Sequence, residues 1–138
     1  MPIVIMRGVQ DGARTVVLID DEAEIVSLER ALLEHDGRFV IVGEGADGTS
    51  AVRLARTLQP DAIVLDVLMP KMDGWEALPL IKRVSPYTQV VVISALGANS
   101  ELNDRAVWLG AATYLDKLEI RSMPAVLADA CTHCGRHG

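Results

Sequence analysis

Short aliphatic runs alternate along the chain with segments in which apolar residues recur at helical spacing. Five strands are predicted, at 15–19, 39–42, 62–65, 89–93 and 111–115. An unbroken apolar run is typical of a strand buried on both faces of a parallel sheet, and the strands at 15–19 and 62–65 are predicted to be buried in this way. The helical spacing predicts five helices, at about 22–36, 51–58, 74–84, 100–109 and 122–131. Strands that alternate with helices indicate one α/β domain, in which right-handed crossovers place helices on both faces of the sheet.

Two of the predicted helices contain features that should reduce their regularity or their packing against the sheet. Pro79 lies inside the third helix and should kink or shorten it, because proline clashes with the preceding turn. The fourth helix has only a weak apolar stripe, through Leu102, Ala106 and Leu109. We therefore expect the fourth helix to be the least firmly docked.

Composition and charge narrow the class of protein. The chain has 138 residues, half of them hydrophobic, and a formal net charge of −6, which argues against nucleic-acid binding by this domain. No apolar run reaches the roughly eighteen residues of a transmembrane helix. The apolar patch at 3–6 is too short for a signal peptide, so a cytoplasmic location is expected. The predicted organisation is a flexible leader (1–13), a folded domain (14–130) and a short tail (131–138).

The two cysteines, Cys131 and Cys134, both lie near the end of the chain. A core built without disulfides agrees with a reducing compartment. With His133 and His137 the pair resembles half of a zinc site, but tetrahedral coordination needs four well-placed ligands. We interpret the segment as a frayed tail.

Polar side chains follow four of the five predicted strands. Asp20 and Asp21 come after the first strand, Asp66 after the third, Ser94 after the fourth, and Lys117 two residues after the fifth. The carboxyl ends of parallel strands share one edge of the sheet, where ligands of open α/β folds bind. Three carboxylates repel one another unless a cation lies among them, and Mg²⁺ prefers oxygen ligands. A nearby lysine can pair with phosphate, so the set favours phosphoryl transfer.

The stretch DVLMPKMDG, from Asp66 to Gly74, adds a specific motif to this constellation. It resembles the phosphoacceptor motif of receiver domains in bacterial two-component response regulators, and Asp20-Asp21 is similar to the acidic pair of that family. The resemblance extends over about residues 14–130. It implies a flavodoxin-like (βα)5 fold, a doubly wound five-stranded parallel sheet with strand order 2-1-3-4-5.

The same resemblance implies a magnesium site and a phosphoacceptor. Asp66 would accept the phosphoryl group. Asp21, Asp66 and the backbone carbonyl of Leu68 would hold Mg²⁺ directly, and Asp20 would bind it through water. No other cofactor is expected.

The resemblance also implies a switch. Ser94 with Ala95 is similar to the family's hydroxyl and small-residue step, and Ser94 would hydrogen-bond to the phosphoryl oxygens. Lys117 would pair with the phosphoryl group, and Tyr114 would be the switch aromatic. Phosphorylation would change the face formed by the fourth helix, the fifth strand and the fifth helix, where a partner or a second copy would bind; Trp108 would sense that change.

By this resemblance the phosphoryl group comes from a sensor histidine kinase or a phosphotransfer protein. The chain would be a phosphoacceptor that assists its own phosphorylation and dephosphorylation, rather than an enzyme with a separate substrate. Neither nucleic acid nor a membrane is an expected partner. The domain would be a stand-alone receiver or a piece of a longer regulator.

Three leucine positions bear on the chemistry. Leu118 follows Lys117 where the family usually has proline, often in a cis peptide; a cis bond before a residue other than proline costs about 2.5–4 kcal/mol, so a trans bond and a reshaped loop are expected. Leu68 and Leu96 stand two residues after Asp66 and Ser94. Neither can orient an attacking water, so a long-lived phosphoryl group is expected.

Three rival interpretations are less favoured. Gly43, Gly45 and Gly48 form the GxGxxG pattern of dinucleotide sites, but that pattern belongs to the first strand of its fold and here follows the second. A haloacid-dehalogenase-like phosphatase needs a second aspartate at the position of Leu68. A degenerate receiver would lack the phosphoacceptor or the lysine, and both are present.

Overall fold

The computed structural model describes residues 12–132. Its parallel sheet has the order β2-β1-β3-β4-β5, and its strands are β1 (Arg14–Ile19), β2 (Phe39–Gly45), β3 (Ala62–Asp66), β4 (Gln89–Ser94) and β5 (Thr113–Asp116). The α-helices are α1 (Ala23–Asp36), α2 (Gly48–Leu58), α3 (Gly74–Val84), α4 (Ser100–Trp108) and α5 (Met123–Thr132). The predicted flavodoxin-like fold and strand order are confirmed.

The second strand is longer than predicted. The pairing register shifts between Val16 and Val17 of β1, so β2 contains an extra residue there and continues to Gly45. At Gly45 an added Cβ would lie 2.8 Å from Cβ of Ser50, so glycine permits α2 to pack closely on the strand. The glycine-rich segment at 43–48 is therefore half strand, not the turn that the sequence predicts.

The other differences are small. β5 begins at Thr113 rather than at 111, and a 3₁₀ helix at Lys117–Ser122 precedes α5, which the sequence does not predict. The third helix keeps its full predicted length, so Pro79 does not shorten it. A capping box between Asp73 and Glu76 fixes its first turn.

The sheet separates two hydrophobic cores. One lies against α2, α3 and α4 and contains Ile63 and Leu78; the other lies against α1 and α5 and contains Val64 and Leu127. β3 is buried at every position, as its unbroken apolar run predicts. Ala106 is the one buried residue of α4, which agrees with its weak apolar stripe.

The ends of the chain are described only in part. Cys131 is buried near the end of α5, whereas Cys134 and both candidate histidines of the predicted tail lie outside the described residues. Most of the predicted leader also lies outside them. Among the helices of residues 12–132, none combines the length and apolar character needed to cross a bilayer.

Candidate functional site

The predicted carboxylates come together at the carboxyl edge of the sheet. Asp66 is the last residue of β3, and Asp20 and Asp21 follow β1, the neighbouring strand. One oxygen from each of these carboxylates lies within 4.8 Å of the others. Asp66 is only 2% exposed and Asp20 is also buried, whereas Asp21 is exposed to solvent.

Lys117, which follows β5, also reaches this cluster. Its Nζ lies 3.0 Å from Oδ2 of Asp20 and 3.3 Å from Oδ1 of Asp66. It also donates a hydrogen bond of 3.0 Å to Oε1 of Glu22. The ammonium thus lies between the two buried carboxylates and offsets part of their repulsion.

The segment after Lys117 has the trans geometry expected without proline. All peptide bonds of the described residues are trans, including the one before Leu118. The carboxylate of Asp116 accepts a hydrogen bond of 2.9 Å from the backbone N–H of Leu118 and begins the 3₁₀ helix. This turn delivers Lys117 to the site.

Burial and charge shift the ionisation of the cluster. Burial, and then the charge of Asp20, raise the pKa of Asp66 to about 6, although Lys117 acts in the opposite direction. Burial likewise raises the pKa of Asp20. Burial alone would lower the pKa of Lys117, but its bonds to Asp20 and Glu22 outweigh this and raise it. The lysine stays charged, and a cation would stabilise the ionised carboxylates.

The donor atoms suit Mg²⁺. Three convergent carboxylates offer only oxygen ligands, which hard divalent cations require, and the exposed side of Asp21 leaves room for the waters that Mg²⁺ retains. Leu68 lies in the loop after β3 with an exposed side chain. Its backbone carbonyl as a further ligand stays a prediction.

The loop between β3 and α3 explains why the motif ends in glycine. A Cβ added to Gly74 would lie 2.3 Å from the backbone oxygen of Asp66. The N–H of Gly74 donates a 2.8 Å hydrogen bond to the carbonyl of Val67, which ties the start of α3 to the end of β3. Gly74 thus packs against the backbone that carries the candidate phosphoacceptor.

Ser94 and Tyr114 both contact the loop that leads from β4 to α4. Ser94 is buried at the end of β4, and its Oγ accepts a hydrogen bond of 3.0 Å from the N–H of Leu96. The hydroxyl of Tyr114, on β5, donates a hydrogen bond of 2.9 Å to the carbonyl of Gly97. Two predicted switch residues therefore meet at one segment.

Sequence reasoning missed two glutamates of this region. Glu22 contacts Lys117, although its position before α1 gives no sign of a tertiary partner. Glu29 lies inside the apolar face of α1, one turn before Leu33; it is 0% exposed, and within residues 12–132 neither of its carboxylate oxygens has a hydrogen-bond partner. Burial, and then the charge of Asp20, raise the pKa of Glu29 to about 8.

The glycine pattern does not form a phosphate-binding loop. Gly43 and Gly45 lie within β2. The helix that follows is capped by Asp47, whose carboxylate accepts a 2.8 Å hydrogen bond from the N–H of Ser50. A carboxylate therefore occupies the helix end where a pyrophosphate would bind, and the dinucleotide interpretation is not supported.

Known proteins are similar to this chain in both sequence and fold. The chain is 42% identical over 103 residues to a protein-glutamate methylesterase/protein-glutamine glutaminase of Maricaulis maris, a match covering 74% of this chain and 26% of that protein. The chain spans about a quarter to a third of the length of such relatives.

Two solved structures are similar over nearly all of the chain. The signal receiver domain of the response regulator NarL from Mycobacterium tuberculosis has a TM-score of 0.81 and 30% identity, covering 90% of this chain and 98% of that one. The response regulator domain of Thermotoga maritima CheB has a TM-score of 0.77 and 28% identity, covering 87% and 94%.

A family model also matches most of the chain. The description of that family is response regulator receiver domain, and the match covers residues 16–125, from the first strand into the last helix. Because this is well over half of the chain, the chain belongs to the response regulator receiver domains of two-component systems.

Proposed function

We propose that this receiver domain accepts a phosphoryl group on Asp66 in a reaction that depends on Mg²⁺. The observation that carries the proposal is the position of Asp66, which ends a fully buried strand with Asp20 and Asp21 within 4.8 Å and Lys117 at 3.3 Å. Such a site combines a nucleophile, oxygen ligands for a divalent cation and an ammonium group that can pair with phosphate. Phosphoryl transfer depends on this positioning and charge neutralisation.

Four residues would hold the magnesium ion. Asp21, Asp66 and the carbonyl of Leu68 would hold Mg²⁺ directly, and Asp20 would do so through water. When bound, the ion would neutralise charge on the phosphoryl oxygens and lower the pKa of the buried carboxyl groups. Ionised Asp66 is then the nucleophile at neutral pH.

The donor in this proposal is a phosphohistidine of a sensor histidine kinase or phosphotransfer protein. A carboxylate oxygen of Asp66 attacks the phosphorus; the P–N bond breaks as the P–O bond forms, and its electron pair stays on the donor's imidazole, which takes a proton from solvent. Ser94 and Lys117 would hold the phosphoryl oxygens. The domain assists its own phosphorylation and dephosphorylation but acts on no separate substrate.

Phosphorylation would then change the face formed by α4, β5 and α5. The phosphoryl group adds about −1.5 to −2 charge at Asp66, so Ser94 would turn toward its oxygens and give up the bond from Leu96. Tyr114 is bonded to the same loop and would move with it. α4 has one buried residue, Ala106, and is the easiest helix to shift.

The acceptor assignment is tested with a small phosphodonor such as acetyl phosphate. Wild-type protein should become phosphorylated with Mg²⁺ and lose this ability with chelator, and Asp66→Asn should take up no phosphoryl group. Asp61→Asn is the matched control, because it changes the same residue type at the opposite end of β3. Undiminished phosphorylation of Asp66→Asn would rule out the assignment.

The switch is tested separately with beryllofluoride and Mg²⁺, a non-covalent mimic of the phosphoryl group. Amide resonances should shift from residue 94 to residue 128 as well as around Asp66. Trp108 lies on α4 and is 84% exposed, so its fluorescence should change when the shift of that helix alters its burial. Gel filtration of the same sample shows whether a second copy binds. Resonance changes confined to the surroundings of Asp66 would contradict the switch.

A further inference from the structure

We propose that Glu22 holds Lys117 in the unphosphorylated arrangement and competes with the phosphoryl group for it. The inference rests on the proposed phosphorylation of Asp66. It makes Glu22 a positioning residue, which acts on the reaction through Lys117 and not by touching the reacting atoms.

Three carboxylate oxygens surround the ammonium group of Lys117. Asp20 Oδ2 lies at 3.0 Å, Glu22 Oε1 at 3.0 Å and Asp66 Oδ1 at 3.3 Å from Nζ. Of these three ion pairs, the one to Glu22 also has hydrogen-bond geometry, whereas Asp20 Oδ2 has no hydrogen-bond partner among the described residues. When Asp66 carries a phosphoryl group, the new oxygens compete with these carboxylates for the ammonium group, so one of the existing contacts has to be exchanged.

The contact to Glu22 costs the least to break. The side chain of Glu22 is 59% exposed, whereas those of Asp20 and Asp66 are buried. A released Glu22 carboxylate becomes hydrated, so little free energy is lost. Releasing Asp20 instead would leave a buried charge without its counter-ion, which costs far more.

The local structure of Glu22 supports the same conclusion. Glu22 occupies the N-cap position of α1, but its side chain makes no capping hydrogen bond. Its backbone is fixed, because its N–H donates a hydrogen bond of 2.9 Å to Oδ1 of Asp20. The side chain instead reaches Lys117, 95 residues later in the chain. The Glu22 side chain therefore bonds to Lys117 and makes no N-cap hydrogen bond.

The test measures the affinity of the protein for beryllofluoride in the presence of Mg²⁺. Glu22→Gln should bind the mimic about two- to fivefold more tightly than wild type, the range expected for losing one exposed ion pair. Glu24→Gln is the matched control, because Glu24 is an exposed acid in the first turn of α1 and has no contact with Lys117 among those recorded for the described residues. It should leave the affinity within the error of the wild type.

A second readout separates competition for Lys117 from a general loss of negative charge. The side-chain Nζ resonance of Lys117 should shift when wild type is saturated with beryllofluoride. In Glu22→Gln without the mimic it should already lie part of the way toward that position, and in Glu24→Gln it should not move. Unchanged affinity, an equal change in Glu24→Gln, or an unmoved Lys117 resonance in Glu22→Gln would overturn the inference. Failure of the wild type to bind the mimic would overturn the proposed function as well.

Discussion

Asp66 and Glu29 are both buried carboxyl groups, but their surroundings differ. Asp66 lies at the open carboxyl edge of the sheet, 3.3 Å from the ammonium of Lys117. Glu29 lies on the buried face of α1, and no donor reaches either of its oxygens among the described residues. Burial, followed by the charge of Asp20, raises the pKa of Asp66 to about 6 and that of Glu29 to about 8.

The difference shows what a counter-charge does for a buried acid. Lys117 lowers the pKa of Asp66 and is close enough to pair with it, so ionised Asp66 can serve as a nucleophile. Glu29 interacts with Lys117 only through its charge at a distance, and a pKa of about 8 keeps most of this group protonated at neutral pH, as a neutral polar group in an apolar core. One carboxyl group is a candidate for function; the other is expected to lower the free energy of unfolding.

Replacing Lys117 should have the largest effect, because it makes Asp66 resemble Glu29. Lys117→Met keeps most of the side-chain volume but leaves Asp20 and Asp66 without their counter-ion. Removing one partner of a buried ion pair costs about 3–5 kcal/mol, so the free energy of unfolding should fall by this order. Urea unfolding at about pH 5 and about pH 8 measures it, and the loss should be greater at the higher pH, where both carboxyl groups have to ionise.

Lys71→Met is the control for this variant, because Lys71 is an exposed lysine of the loop after β3. Its free energy of unfolding should stay within about 0.5 kcal/mol of wild type. Equal losses in the two variants would contradict the pairing.

Replacing Glu29 should instead raise the free energy of unfolding. The pKa of Glu29 in the folded protein lies above its unfolded value of 4.5. The contribution of this group to the free energy of unfolding is therefore fully present below the unfolded pKa and is lost as the pH rises toward the folded-state pKa. Glu29→Leu should therefore raise the free energy of unfolding by about 2–4 kcal/mol at about pH 8 and by less at about pH 5, given about 1.4 kcal/mol per pKa unit.

Glu29→Gln separates ionisation from packing. It keeps the shape and an unsatisfied polar group but cannot titrate, so the decline in stability between about pH 5 and about pH 8 should flatten without the full gain of leucine. A wild-type stability that does not fall over this range would contradict the buried, protonated state of Glu29.

The smallest predicted effect concerns the hydrolysis of phosphorylated Asp66. Water can approach Asp66 from the open edge of the sheet, whereas Glu29 is fully buried. Leu68 and Leu96 are exposed beside the site and offer no hydrogen bond to an attacking water. Leu68→Asn should shorten the lifetime of the phosphoryl group by about ten- to hundredfold, or about 1.4–2.8 kcal/mol of barrier. Decay of the phosphorylated protein without a partner measures this, with the exposed Leu28→Asn as the control. A wild-type half-life of seconds would contradict the expectation.

Individual residues show which features of the fold and of the site could be predicted from the sequence and which could not. Asp66, Asp20 and Lys117 were predicted together because each lies at or just after the end of a predicted strand, and parallel strands bring their ends to one edge. Glu29 was missed because helical periodicity treats a glutamate as a solvent-facing position, and only tertiary packing shows that it is buried. The 3₁₀ helix before α5 was missed because it depends on a side-chain cap from Asp116, which composition does not reveal.

The central claim is that Asp66, and no other carboxylate of the cluster, forms the acyl phosphate. The most direct measurement is to phosphorylate the wild-type protein with a small phosphodonor and Mg²⁺, reduce it with borohydride and map the product by mass spectrometry, since reduction converts an aspartyl phosphate to homoserine. The account predicts homoserine at position 66 and none in the sample treated with chelator. Homoserine at position 20 or 21, or phosphate on a hydroxyl side chain in its place, would contradict it.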